Sequence, residues 1–155
     1  MSKTACPPAH GCVMNKPVML DAGPLGRLVH PKKNQDIKEW AVAIRKSGRQ
    51  IIIPEIVDYE VRRNLILEQL DESLRRLDEL KKQVSYAPLS TNVMLRAAYL
   101  WAEARKSGFP TADKHALDGD VILAAQAEQT GAIIATDNVA HLDRFAEAVD
   151  WRSIR

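Results

Sequence analysis

Short, almost wholly apolar runs separated by long stretches of helical periodicity constrain this chain more than any other feature. Residues 17–20 (Pro-Val-Met-Leu), 50–53 (Gln-Ile-Ile-Ile) and 132–136 (Ala-Ile-Ile-Ala-Thr) are each too short for a helix, and Pro or Gly brackets them. Runs apolar on both alternating faces read as strands buried from both sides. The segments between them carry apolar residues at helical spacing and are long enough to be crossovers. The expected product is an α/β domain with a mostly parallel sheet covered on both faces. Val149-Asp150-Trp151 can add a last edge strand.

The helical segments can be placed in turn. Residues 36–47 carry Ile37, Trp40, Ala41 and Ile44 on one face and stop at Gly48, and Pro54-Glu55 opens a second helix through Leu65 and Leu67. Leu70, Leu74, Leu77 and Leu80 recur at four- and three-residue intervals among charges, a narrow stripe that can pack internally or against another chain. Ser90 or Thr91 caps a helix running to Gly108. A loop is expected over 109–117, holding Lys114 and His115, before Asp118 or Asp120 caps the apolar helix at 121–127 that Gly131 ends. Residues 22–26 (Ala-Gly-Pro-Leu-Gly) read as a turn, and a helix containing His141, Leu142, Phe145 and Ala148 follows the last apolar run.

Length allows one compact domain and no second. With 46% hydrophobic and 27% charged residues the chain is neither disordered nor membrane-bound. No run approaches the roughly 18–20 apolar residues that span a bilayer, so the expected compartment is the cytoplasm. A net charge of +2 permits nucleic-acid binding and does not demonstrate it, although Arg62, Arg63, Arg75 and Arg76 form local basic clusters. Cys6 and Cys12, with His10 between them, sit in a Pro- and Gly-rich start without periodicity. Residues 1–16 are therefore expected to be a flexible extension and 17–155 the single domain, with Met14 an alternative start.

Acidic residues fall at the ends of these elements. Asp21 follows the first apolar run, the Asp137-Asn138 pair follows the third, Asp120 begins a helix and Glu60 lies about one turn into another. In parallel sheets ligands bind beyond the carboxyl ends of strands, which would gather these positions. Crowded carboxylates repel one another and lose solvation, so they stay ionised only beside a cation, and hard oxygen donors suit Mg²⁺ or Mn²⁺.

Four segments, Met19-Leu20-Asp21-Ala22, Val57-Asp58-Tyr59-Glu60-Val61-Arg62-Arg63, residues 117–127, and Ile134-Ala135-Thr136-Asp137-Asn138 with His141-Leu142 and Phe145, together resemble a PIN-domain protein in order and spacing. The resemblance implies a three-layer α/β/α fold and a metal-dependent ribonuclease, often a toxin of the VapC type with an antitoxin partner. It implies Asp21, Glu60 and Asp120 as the first three acids of a Mg²⁺ or Mn²⁺ site. At the fourth, Asn138 stands where many members have aspartate and Asp137 lies one residue earlier, so both are candidates. Thr136 and Asp118 would stand behind the ligands, Arg62 could touch the RNA backbone, and a homodimer is expected.

Each residue also has an ordinary role to weigh. Asp118 or Asp120 could be a simple helix cap, Glu60 a solvent-facing residue, His141 a surface histidine, and Tyr59 and Trp40 core aromatics. A haloacid-dehalogenase-like phosphatase would need a second aspartate where Gly23 stands. The stronger rival is a PIN-like module without activity that binds RNA or a protein.

Overall fold

The computed structural model describes residues 15–108 and 114–155. Cys6, His10, Cys12 and Met14 lie outside the described residues, as do the side chains of Lys114 and His115. Elements run β1 Val18–Leu20, α1 Ala22–Leu28, α2 Gln35–Lys46, β2 Ile51–Pro54, α3 Glu55–Leu67, α4 Asp71–Gln83, β3 Ser85–Ala87, α5 Thr91–Lys106, α6 Lys114–Thr130, β4 Ile133–Thr136, α7 Val139–Leu142 and β5 Ala148–Asp150. A 3₁₀ turn follows at Trp151–Ser153.

The five strands form one sheet in the order β3-β2-β1-β4-β5, and every pairing is parallel. Val18 lies opposite Ile51 on one side and Ile133 on the other. Val18, Met19, Leu20, Ile53, Ile134 and Ala135 are fully buried, as strands covered by helices on both faces must be. The chain steps outward from β1 through β2 to β3, then returns to β4 on the other side of β1. That reversal places the topological switch point between the carboxyl ends of β1 and β4.

Several local readings change. The segment at 22–26 is not a turn but the start of α1: Asp21 caps it by accepting from the Ala22 N–H at 2.7 Å, and Pro24 falls in the first helical turn, where a missing N–H costs nothing. Helix α6 starts at Lys114, so Asp118 and Asp120 are interior helical residues, not caps, and the loop expected over 109–117 has ended by then. Helix α7 is a single turn, and Ala148, expected in a helix, opens β5.

Packing of the side chains shows a similar mix. In the leucine stripe Leu77 is fully buried and Leu74 and Leu80 pack on the core, while Leu70 is 43% exposed. Trp40 is buried edge-on to Trp151 with ring centres 5.5 Å apart, as expected of a core aromatic. Tyr59 is 57% exposed, because α3 buries Val57, Val61 and Leu65 and a residue two positions from Val57 points away from them.

Two buried polar groups lock the helices. The Asp58 carboxylate accepts from Arg62 at 2.9 Å, Lys81 at 2.8 Å and the Tyr86 hydroxyl at 3.1 Å, joining α3, α4 and β3. Burial pushes its carboxyl up, but those partners together hold it below the usual range, and burial with the Asp58 and Glu55 charges pushes the Tyr86 hydroxyl upward. The buried Gln126 of α6 donates to the Ala87 carbonyl at 2.8 Å and accepts from the Ile56 N–H, one of the orphan donors of the first turn of α3.

Candidate functional site at the switch point

Asp21 leaves the end of β1 with one carboxylate oxygen capping α1 and the other accepting from the Thr136 hydroxyl at 2.7 Å. Thr136, the last residue of β4, is fully buried, and its oxygen in turn accepts from the Asn138 N–H at 2.9 Å. The two strands that flank the switch point are thereby tied through one carboxylate.

Glu60 of α3 sits against Gly119 of α6, one residue before Asp120, and the Asp21 charge acts on both acids. Burial pushes the Glu60 carboxyl up, the Asp21 and Asp120 charges push it further, and Arg63 opposes them. Burial and the Asp21 charge push Asp120 up to about 6, against the pull of His141 and Arg144. Three acids on three elements therefore act on one another electrostatically. Gly119 makes this possible, because a Cβ at that position would overlap the Glu60 Oε1. Sequence reasoning missed Gly119, though a glycine between two aspartates inside a helix is an available signal.

The fourth position divides. The Asp137 carboxylate is bonded to Arg27 of α1, accepts from the Trp151 ring N–H at 3.0 Å and lies 3.6 Å from Arg152. Asp137 is not among the charges that move Glu60 or Asp120. Asn138 is exposed. Asp118 is exposed and lines a groove with Met94, Trp101 and Ile122, since two residues along a helix turn it about 200° away from Asp120. His141 is exposed, as expected of a surface histidine. Arg62 is committed to Asp58 and to Asp78 at 2.9 Å rather than directed at the acids.

The donor set can be tested against a divalent cation. Among the described residues no three His, Cys, Asp or Glu side chains form a metal cage by themselves. Yet the acids that do gather are hard oxygen donors whose mutual repulsion is not fully compensated, as the raised Glu60 and Asp120 show. Mg²⁺ is ordinarily held by one or two carboxylates with water and substrate phosphate completing its shell, so an incomplete cage fits it. The residues that could hold such an ion are Asp21 and Asp120, with Glu60 as a third donor.

An all-parallel five-stranded sheet flanked by helices, with acids at its switch point, defines the α/β class of this protein. The family model of the PIN domain matches residues 18–148, and the chain belongs to the PIN domain family. Its fold is similar to that of VapBC2 from Rickettsia felis bound to a DNA fragment from their promoter, with a TM-score of 0.71 and 16% identity over 86% of this chain and 98% of that one. It is also similar to FitAcB from Neisseria gonorrhoeae (TM-score 0.68, 18% identity, 88% and 99%) and to VapBC-1 from nontypeable Haemophilus influenzae (0.67, 20%, 88% and 98%). No curated protein sequence matches the chain significantly.

Proposed function

We propose that this PIN domain is a Mg²⁺- or Mn²⁺-dependent endoribonuclease acting as the toxin of a toxin-antitoxin pair. The observation that carries the reading is the bond of Asp21 to Thr136 at the switch point, with Glu60 of α3 seated against Gly119 beside Asp120 of α6. In this reading Asp21 and Asp120 hold the cation, Thr136 fixes the Asp21 oxygen that it bonds, and Glu60 adds charge from α3. A cation held there would supply a water of lowered pKa and charge stabilisation at the scissile phosphate. Asp137 and Asn138 are proposed as outer residues: Asp137 through Arg27, and Asn138 through its N–H on Thr136.

The VapBC and FitAB structures it resembles, several of them DNA-bound, support a partner chain, which we take to be an antitoxin. A homodimer is proposed through Ile66, Leu67 and Leu70, exposed apolar residues at the α3–α4 corner, and a monomeric mass in sedimentation would exclude it. Among the described residues no helix is long and apolar enough to cross a membrane, and the proposed setting is the cytoplasm. The test is a Mg²⁺ and Mn²⁺ titration over a panel of RNAs. Metal-dependent products that EDTA abolishes are expected; none at any metal concentration would leave a binding module.

A further inference from the structure

The geometry points to Arg27 as the residue that receives an RNA backbone phosphate beside the cation site, held ready for it by Asp137 and Trp151. The inference rests on the nuclease reading and deepens it. Carboxylates at the switch point repel a polyanion unless fixed cations stand beside them. Arg27 is one that the fold holds rigidly. Its guanidinium is bonded to Asp137 and lies 5.6 Å from the centre of the Trp151 ring. That ring is itself fixed: it is 3% exposed, packs edge-on against Trp40 and donates its N–H to the other Asp137 oxygen.

Asp137 in turn sits against α1. A Cβ on Gly23 would come within 2.7 Å of Asp137 Oδ2, so the glycine lets the carboxylate reach the first turn of the helix that Asp21 caps. Since Asp137 directly follows Thr136, which bonds Asp21, the position of Arg27 is tied to that of the first acid through two consecutive residues.

The side chain of Arg27 remains 29% exposed. Among the described residues only one of its nitrogens is bonded, which leaves N–H donors of a planar fork for a bidentate phosphate. Asp137 and Trp151 are then positioning residues.

The test is RNA binding by the full chain, followed by fluorescence anisotropy of a labelled single-stranded RNA in EDTA between low and moderate salt, with cleavage kinetics alongside. Arg27→Ala should weaken binding on the order of tenfold and make the dependence of log Kd on log salt shallower by about 0.7, the share of one phosphate contact on a single strand. Arg27→Lys keeps the charge and should restore the slope, with affinity still reduced for want of the fork. Asp137→Asn should raise the KM for RNA and leave the Mg²⁺ concentration for half-maximal cleavage unchanged.

If Arg27→Ala lowers the slope no more than Arg96→Ala, which breaks a surface pair with Glu128 of α6, the inference fails while a cleaving wild type keeps the nuclease reading. If Asp137→Asn shifts the Mg²⁺ requirement and not KM, Asp137 is a ligand and the inference likewise fails. A wild type that neither binds nor cleaves RNA removes both.

Discussion

Replacing Gly119 by alanine should separate stability from cation binding. The new Cβ overlaps the Glu60 Oε1, so the glutamate must swing aside, whereas the α6 backbone need not move. Among the described residues the Glu60 carboxylate has no hydrogen bond to lose, so the cost is a distorted or alternative rotamer, about 0.5–1.5 kcal/mol. Against it stands the helix gain of alanine over glycine, about 0.5–1 kcal/mol. The two nearly cancel, and Tm should stay within about 4 °C of wild type.

The cation should respond differently. Moving one negative charge from about 6 to about 9 Å from a divalent ion costs about 2 kcal/mol at an effective dielectric of about 20, which corresponds to roughly a twenty- to thirtyfold higher Mg²⁺ half-saturation. Thermal melting and Mg²⁺-titrated RNA cleavage measure the two effects on the same preparation. An unchanged half-saturation would refute the role given to Glu60. A large loss of Tm would show that the glycine serves the approach of α3 and α6 backbones instead.

Three further outcomes follow from the same geometry. Asp120, and Glu60 with it, titrates above its unfolded value, so the ionised form is the one the fold disfavours; metal-free protein should gain stability as pH falls from 7 through about 6 toward 4. Discounted for partial exposure the Asp120 share is about 1–2 kcal/mol, and denaturant melts in EDTA should show Asp120→Asn flattening the profile. Asp58→Ala should cost about 2–3 kcal/mol, or a Tm loss of about 4–12 °C, because it leaves Arg62 and Lys81 without their buried partner; a change under 1 °C would contradict the locking role. Thr136→Val removes the bond that fixes Asp21 and should cost about 1–2 kcal/mol while lowering the cleavage rate at saturating metal; an unchanged rate would mean that Asp21 needs no such support.

Strands β1, β2 and β4 could be read because short apolar runs bracketed by Pro or Gly admit few other structures, whereas Ser85-Tyr86-Ala87 of β3 has no such run and did not read as a strand; once β1 and β4 stand in parallel their carboxyl ends must be neighbours. Asp21 was visible for that reason. Helix α1 was not: the Gly-Pro-x-Gly composition at 23–26 outweighed the Asp21 cap and the tolerance of a first turn for proline. Missing α1 hid Arg27, whose partners Asp137 and Trp151 lie more than a hundred residues away and are joined to it only by folding. The Asp118–Asp120 region misled in a different way. Taken as caps, both acids could face the site, but as interior residues of α6 they are separated by helical phase, and only Asp120 is turned toward Asp21. Asp58 and Glu60, two residues apart on α3, show the same limit, since which one is buried in a structural lock and which joins the acids depends on what packs against each face.

The claim that acids from β1 and α6 hold a divalent cation for phosphodiester cleavage is tested most directly by the Mg²⁺ dependence of RNA cleavage in Asp21→Asn and Asp120→Asn beside wild type, with folding checked by circular dichroism. Each variant should remain folded and lose metal-dependent cleavage. Folded variants that both cleave with the wild-type Mg²⁺ dependence would contradict it.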